Sequence, residues 1–297
     1  KTAADGEVEA MYKLNIVPAG IDDGNGVLAE DVPEDGVIPD GIWIAGIDKN
    51  GYAYSRKAIK PEFRVYDGPR RLKLKTDYTI SYKNNTKAYT ISEGEEGFDA
   101  KKAPAVIVTG KGNYSSREYV YFKIIPKDIM DEDVTTAEIP PVLPTNKKQN
   151  PALTLTWEKK KLVNKTDYTV TCYSDESCTV IAEPKESGTY YVKISGKGNY
   201  TGDRKMSFVI AGSTQKLVRK LSVGKIKNKI YTGLPVELTA DELVVKDGKT
   251  ILTAGKEYTI TYSDNHTDIG TVTVTIIGDG ETYVGSKTVT FKITGTA

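Results

Sequence analysis

Cysteine, histidine and paired carboxylates are the residues that could do chemistry in this chain, and the first two are scarce. Cys172 and Cys178 are the two cysteines, and His266 is the single histidine. This count excludes the usual Cys/His metal clusters and most catalysis that depends on a histidine base. A cysteine nucleophile also lacks a partner base, because His266 lies in a distant part of the chain. We therefore predict no catalytic residue, no metal site and no cofactor.

The two cysteines flank a short polar stretch, residues 173–177. We expect this stretch to form a hairpin turn, with Cys172 and Cys178 near its two sides. The two residues could form a disulfide if their Cα atoms come within about 6 Å of each other. A pair of free, buried thiols is the alternative.

Acidic residues could suggest a cation site, but their spacing argues against one. Asp77, Asp167 and Glu257 are far apart in the chain, whereas a calcium site needs about six oxygen ligands from neighbouring positions. We expect each of them to accept hydrogen bonds from the nearby turn backbone. Asp22-Asp23-Gly24-Asn25-Gly26 is the better calcium candidate, although it lacks the spacing and the terminal glutamate of a helix-loop-helix site. We interpret it as a turn.

The acidic residues belong to a strand-like stretch that recurs at a constant interval. Asp77-Tyr78-Thr79-Ile80-Ser81-Tyr82 returns as Asp167-Tyr168-Thr169-Val170-Thr171-Cys172-Tyr173 and as Glu257-Tyr258-Thr259-Ile260-Thr261-Tyr262. The starting positions 77, 167 and 257 are 90 residues apart, and a leucine before each copy keeps the same interval: Leu72, Leu162 and Leu252. Such self-similarity indicates tandem modules.

The alternation of apolar residues keeps the same inward face in each module. The predicted inward pairs are Val106/Val108, Val192/Ile194 and Val274/Ile276. The predicted inward residues of the closing strands are Val120/Phe122/Ile124, Met206/Phe208/Ile210 and Val289/Phe291/Ile293. A slip of one residue would move each set into water, so the pattern determines the register. We also expect the recurring stretch to be the central strand of its sheet, because its tyrosine face alternates strictly with threonine and serine.

Short alternating strands, frequent turn residues and the lack of an amphipathic helix predict an all-β fold. We predict three tandem immunoglobulin-like β-sandwich domains in an elongated arrangement, at residues 42–126, 127–212 and 213–297. Residues 1–41 are predicted to be an irregular N-terminal segment with at most one strand, at 13–17. That segment could be the tail of a preceding module or an extra strand laid on the first one.

Composition limits the classes of partner. Lys plus Arg number 41 and Asp plus Glu number 40, so the balance gives no support for nucleic acid or an anionic membrane as a partner. No apolar run reaches the roughly 18 residues of a membrane span, so we predict no membrane insertion. The chain has 19 tyrosines against 5 phenylalanines, which suits thin sheets that are wetted on one face.

Three further features have a structural and a functional interpretation. The turns Lys111-Gly112-Asn113-Tyr114 and Lys197-Gly198-Asn199-Tyr200 could be ligand loops, but we expect hairpins in which Gly and Asn are left-handed and Tyr packs back on the sandwich. Trp43 and Trp157 could stack on sugars, yet both lie in apolar alternation and are predicted to pack in a core or an interface. The basic run Lys159-Lys160-Lys161 is predicted to be solvated or to guard a sheet edge.

The recurring motifs resemble the bacterial immunoglobulin-like repeats found in tandem in large secreted and cell-surface proteins of Gram-positive anaerobes. The resemblance covers roughly residues 42–297. The motifs that carry it are Ala58-Ile59-Lys60-Pro61, the three recurring strands, Gly110-Lys111-Gly112-Asn113-Tyr114, Gly196-Lys197-Gly198-Asn199-Tyr200-Thr201-Gly202, Tyr231-Thr232-Gly233, and the closing Phe122-Lys123-Ile124, Phe208-Val209-Ile210 and Phe291-Lys292-Ile293. The resemblance implies a stalk, spacer or adhesive module outside the cell, where a disulfide between Cys172 and Cys178 would be favoured.

We therefore predict a non-enzymatic extracellular or cell-surface protein, a monomer that acts as a stalk or spacer or adheres to a host or cell-wall glycan or protein. The alternative is a carbohydrate-binding accessory region of a secreted glycan-processing enzyme. The sequence does not identify the ligand, the mode of anchoring or the other domains of the full-length protein.

Overall fold

The computed structural model describes residues 26–145 and 147–295, and strands dominate it. Strands account for 40% and helical turns for 2% of the structure. The helical residues of the described ranges form two short 3₁₀ turns, Ala29–Asp31 and Val218–Lys220. The predicted all-β fold is confirmed.

The chain divides into two compact units, Lys1–Lys127 and Asp128–Ala297. The division into three domains stays a prediction, since the second unit contains two of them. We use first, second and third module below for residues 42–126, 127–212 and 213–297.

Two sheets enclose the core of the first module. Its strands are β1 (Ile42–Ala45), β2 (Tyr52–Ala53), β3 (Arg64–Asp67), β4 (Arg70–Arg71), β5 (Tyr78–Lys83), β6 (Ala105–Gly110), β7 (Arg117–Tyr121) and β8 (Ile124–Ile125). One sheet has the order β1-β3-β4 and the other β5-β6-β7, while β2 runs parallel to β8. The core between them consists of Val65, Leu72, Tyr78, Val106, Val108, Phe122 and Ile124.

The second module repeats this plan. Its strands are β9 (Lys127–Asp128), β10 (Val134–Thr136), β11 (Leu155–Trp157), β12 (Lys160–Lys161), β13 (Tyr168–Tyr173), β14 (Gly188–Gly196), β15 (Tyr200–Thr201) and β16 (Asp203–Ile210). The two sheets have the orders β10-β11-β12 and β13-β14-β16.

The third module adds a fourth strand to the second sheet. Its strands are β17 (Lys216–Leu217), β18 (Ser222–Val223), β19 (Lys229–Ile230), β20 (Val245–Asp247), β21 (Thr250–Ile251), β22 (Tyr258–Tyr262), β23 (Gly270–Gly278), β24 (Tyr283–Val284) and β25 (Ser286–Thr294). The sheets have the orders β18-β20-β21 and β19-β25-β23-β22.

All three modules share one topology. A tight hairpin in the first sheet leads into an antiparallel meander in the second, and a segment near the start of the module lies parallel to its last strand. The parallel partners are Tyr52 with Ile124, Val142 with Ile210, and Lys229 with Ile293. Two mainly antiparallel sheets packed face to face are the immunoglobulin-like sandwich that the sequence predicts.

The predicted inward faces are confirmed, but the predicted central strand is wrong. Val106, Val192 and Val274 are fully buried, in the middle strands β6, β14 and β23. The recurring stretches form β5, β13 and β22, which lie at sheet edges. Alternation of apolar residues reports that one face of a strand is buried, and it carries no information about how many neighbours the strand has.

Candidate functional site

The first module differs from the others on the outer face of its first sheet. Trp43 on β1 lies opposite Tyr66 on β3. The residues in the same register are Thr135 and Thr156 in the second module and Ser222 and Lys246 in the third. Two aromatic rings thus replace small polar or charged residues on a face that is polar in the other sandwiches.

The segment that precedes the first module covers Tyr66 of this aromatic pair. Tyr66 is fully buried, although its neighbour Val65 faces the core on the opposite side of the strand. The Tyr66 hydroxyl donates a hydrogen bond of 2.6 Å to Asp31 Oδ2, and the backbone N–H of Leu28 donates to the Tyr66 oxygen at 3.5 Å. Burial, and then the hydrogen bond to Asp31, raise the pKa of Tyr66.

Asp31 holds the segment in place through a buried ion pair. Arg64 Nη1 donates to both carboxylate oxygens of Asp31, at 3.0 and 3.1 Å, and its Nη2 lies 3.3 Å from Glu30. The Asp31 side chain is 2% exposed, whereas that of Arg64 is 31% exposed. We call Asp31, Arg64 and Tyr66 the Asp31 clamp. The clamp attaches residues 28–31 to the first module; the sequence left open whether this segment lies on that module or belongs to a preceding one.

Trp43 is held rigidly beside the clamp. Its ring stacks on Tyr66, with centroids 4.5 Å apart and planes 19° from parallel. Its indole N–H donates to the backbone oxygen of Gly68 at 2.8 Å, which determines the orientation of the ring. The ring is half-buried and lines a cleft of about 910 Å³. Aromatic side chains with fixed rings bind flat ligands at a low cost in conformational entropy.

The cleft lies between the clamp segment and edge strands of both sheets. Its aromatic residues are Trp43, Tyr121 and Phe122. Its charged residues are Glu30, Asp31, Glu34, Asp35, Asp48, Lys49, Glu93 and Lys123. The cleft therefore combines a flat apolar surface with both hydrogen-bond acceptors and donors.

A long loop extends the aromatic surface beyond the cleft. Residues 84–104 connect β5 to β6, whereas the equivalent loops of the other modules span 174–187 and 263–269. Phe98 from the long loop packs edge-on against Tyr121 and Tyr89. Lys83 Nζ lies 4.7 and 5.0 Å above the rings of Tyr119 and Tyr121.

The two cysteines are free thiols in this structure. Cys172 faces the core side of the sheet together with Val192, and the residue across the hairpin from it is Ala182. The loop tip folds over the other side, because Ser177 accepts a hydrogen bond of 3.2 Å from the outward Lys205. Burial raises the pKa of Cys172. The disulfide between Cys172 and Cys178 stays a prediction, and it would require this loop to move.

The acidic residue of each recurring stretch closes the loop that precedes it. Asp77, Asp167 and Glu257 accept hydrogen bonds of 2.7 to 2.8 Å from the backbone N–H four positions earlier. The expected backbone role is confirmed. Within the described residues, no group of three or more His, Cys, Asp or Glu side chains could hold a metal. Residues 22–25 of the calcium candidate and the strand at 13–17 lie outside the described ranges.

The tyrosine turns are structural, as expected. Gly112 and Gly198 are left-handed, whereas Asn113 and Asn199 are not, so only the glycine part of that expectation is confirmed. Each tyrosine packs against the last residue of the strand that begins the hairpin of the first sheet, which is β3, β11 or β20. Tyr114 donates to Asp67 at 3.1 Å, and Tyr200 lies edge-on to Trp157 with centroids 6.0 Å apart. Tyr283 ends the corresponding turn of the third module, residues 279–283, and donates to Asp247 at 3.1 Å.

The other predicted features keep their structural roles. Trp157 is buried, and its indole N–H donates to Asp133 at 2.9 Å. Lys160 and Lys161 form the exposed edge strand β12, which confirms that the basic run guards a sheet edge. His266 stacks on Tyr262 in the third module. No helix in the described part of the chain is long and apolar enough to cross a membrane.

Comparisons with known proteins give only distant structural similarity. No protein-family model and no curated protein matches this chain. The first similar structure is Dpr2 Ig1-Ig2 in complex with DIP-Theta Ig1-Ig3, at 9% identity and a TM-score of 0.24, over 86% of this chain and 100% of that one. Drosophila N-cadherin EC1-3 has 11% identity and a TM-score of 0.24, over 92% and 94%. The N-terminal four Ig domains of Dscam1 have 9% identity and a TM-score of 0.18, over 87% and 79%. These values identify no family.

Proposed function

We propose that this chain is a non-enzymatic extracellular spacer or adhesive module of a bacterial surface protein, whose sandwiches bear tension along the polypeptide. One observation supports this proposal most directly. In each module a segment near the start is paired in parallel with the last strand. Tension on the chain pulls two such segments in opposite directions along their length. Their hydrogen bonds are then loaded together in shear, so the module resists unfolding until all of them fail.

Single-molecule force spectroscopy on the full chain tests this role. The backbone N–H of Tyr231 donates to the oxygen of Thr294 at 2.8 Å, next to the β19–β25 pair. Tyr231→Pro removes this donor, and we expect one unfolding event to move to lower force while the others keep theirs.

Lys249→Pro is the matched control, because Pro69 occupies the same place in the hairpin of the first module. Its unfolding forces should equal those of the wild type. Equal forces for Tyr231→Pro and the wild type would show that the parallel pair bears no load, and the spacer proposal would lose its main support.

A further inference from the structure

The cleft of the first module has the size and the rigidity of a ligand site. Its volume of about 910 Å³ lies within the range of roughly 300 to 1,000 Å³ that is typical of small-molecule sites. The buried Asp31 clamp supports one wall, residues of β1 and β7 form others, and residues 46–49 and 91–93 of two loops complete the lining. The walls built on the clamp and the strands lose little conformational entropy when a ligand binds.

The aromatic wall is suited to the apolar face of a sugar ring. Trp43 is stacked on one side by Tyr66 and uses its N–H internally, so stacking is the contact its ring can offer to a ligand. Tyr121 lines the same cleft, whereas the Phe122 ring belongs to the core beneath it. The pair Trp43–Tyr66 is absent at the same register of the other two modules, where the partners are Thr135 with Thr156 and Ser222 with Lys246.

The charged wall offers both acceptors and donors to a ligand. Glu34 and Glu93 are exposed and form no ion pair or hydrogen bond within the described ranges. Lys49 and Lys123 lie in the same lining. Glu30 and Asp31 are paired with Arg64, which leaves four carboxylates in the lining against Lys49 and Lys123. This excess of negative charge disfavours an anionic ligand, and a cationic ligand is the competitor that binding experiments must separate from a neutral one. A neutral polyol can donate to the carboxylates and accept from the lysines.

We propose that this cleft binds a neutral oligosaccharide, with Trp43 as the stacking platform and Glu34 and Glu93 as acceptors for its hydroxyl groups. The site does not depend on the load-bearing role, since saccharide binding uses residues of the first module only. A spacer that also holds a glycan would be adhesive through this surface.

Fluorine NMR on the full chain tests the proposal without a mutation. The chain contains two tryptophans, so 5-fluorotryptophan labelling gives one resonance for Trp43 and one for Trp157. A glycan array first identifies candidate saccharides for titration. Chitotetraose, cellotetraose, maltotetraose and mannotetraose are titrated as well, whatever the array shows. We expect at least one to shift the Trp43 resonance in a saturable manner with a Kd below about 1 mM, while the buried Trp157 resonance stays in place.

Variants then test the two walls separately. Glu93→Gln keeps the shape of an exposed side chain and should raise the Kd about threefold or more. Trp43→Ala should raise it at least about tenfold, and Trp43→Phe, which retains a ring on Tyr66, should lie between Ala and the wild type. Trp157→Phe and Glu186→Gln are the matched controls in the second module, and both should bind as the wild type does.

Three results would overturn the proposal. The first is that no arrayed or titrated saccharide binds. The second is a shift of the Trp157 resonance with no shift of Trp43. The third is that a tetralysine peptide saturates the cleft while neutral saccharides do not. Loss of saccharide binding leaves the forces of unfolding unchanged, so a failure of this proposal is distinguishable from a failure of the spacer role.

Discussion

Burying a carboxylate is costly unless its charge and its lone pairs are matched, and Asp31 is matched on both counts. Arg64 supplies the opposite charge, and Tyr66 supplies a short hydrogen bond. Removing the charge of Asp31 would leave Arg64 without its main partner and weaken the attachment of the segment. The clamp thus acts through long-range contacts between residues more than 30 positions apart.

We expect Asp31→Asn to lower the free energy of unfolding of the first module by about 2 kcal/mol, because it breaks a buried ion pair. Urea denaturation followed by Trp43 fluorescence in a Trp157→Phe background measures this change. A glutamate-specific protease should also cleave after Glu34 faster in the variant. Glu30→Gln is the control, since Glu30 is 62% exposed, and it should cost less than about 0.5 kcal/mol. Equal effects of the two substitutions would contradict the role of the clamp.

Backbone strain at one position of the second module can be relieved by introducing the glycine that the third module has there. Lys165 is exposed and has a φ of 70°, while Gly255 occupies the equivalent position with a φ of 80°. Lys165→Gly should therefore stabilise the second module by about 0.5 to 1 kcal/mol, because glycine adopts this region without a Cβ clash. Denaturation followed by Trp157 fluorescence in a Trp43→Phe background reports the change.

The neighbouring Thr166 provides the control, because its φ is not in the left-handed region. Thr166→Gly should destabilise the module, since glycine adds flexibility to the unfolded chain and relieves no strain. The strain at Lys165 would be refuted if both glycine substitutions lowered stability to the same extent.

At the level of the element, the tyrosine turns connect the two sheets of a module. Each turn follows a strand of the second sheet, and its tyrosine contacts the hairpin of the first sheet in the same module. Burial, and then the hydrogen bond to a carboxylate, raise the pKa of Tyr114 and Tyr283 above the ordinary value of 10.0. A raised pKa in the folded state means that the folded state binds the proton more tightly than the unfolded state does. The stabilisation is thus fully present below about pH 10 and is lost as the pH rises through the raised values.

We therefore expect a fraction of the tyrosines to ionise at a higher pH than free tyrosine does, over the same pH range in which the protein unfolds. Absorbance at 295 nm, followed against pH in buffer and in denaturant, measures this delay. Tyr283→Phe should lower the stability of the third module at neutral pH by about 1 kcal/mol, through loss of the hydrogen bond to Asp247, and should reduce its dependence on pH above 10. Identical titration curves in buffer and denaturant would contradict this expectation.

The elements that local pattern determines were predictable from the sequence. Val106, Val192 and Val274 lie in the core because alternation with a period of two specifies the buried face. The edge position of β5, β13 and β22 was not predictable in this way, because it depends on which strands pair across the sandwich.

The candidate site was only partly visible in the sequence. Trp43 and Tyr66 could have been found by comparing the modules in register, since their equivalents are polar. Asp31 could not, because its burial depends on how an irregular segment lies on the sheet. The Cys172 hairpin was predicted as a turn, but the contact between its tip and Lys205 was not predictable, because Lys205 lies in a later strand.

At the level of the whole molecule, the second and third modules share an apolar joint inside one compact unit. Ala211, Leu217 and Val284 are buried together, and the amide of Ala211 donates to the backbone oxygen of Val142 at 2.8 Å. Gly285 has a φ of 86°, and a Cβ built there would lie 2.5 Å from Pro141 Cγ. The linker is therefore packed against both modules.

Gly285→Ala should open this joint, because the added methyl group meets Pro141 as well as an unfavourable φ. Gly255→Ala is the matched control, with a φ of 80° and nothing within 4 Å of the added methyl group. The unfavourable φ should make each substitution destabilise the third module by about 1 kcal/mol, and the contact with Pro141 should add to this cost for Gly285→Ala. Only Gly285→Ala should accelerate amide hydrogen exchange at Ala211 and Lys216, which lie at the two ends of the linker and bond to Val142 in the second module and to Thr282 in the third. If exchange at these amides is unchanged, the contact between Pro141 and Gly285 does not hold the joint.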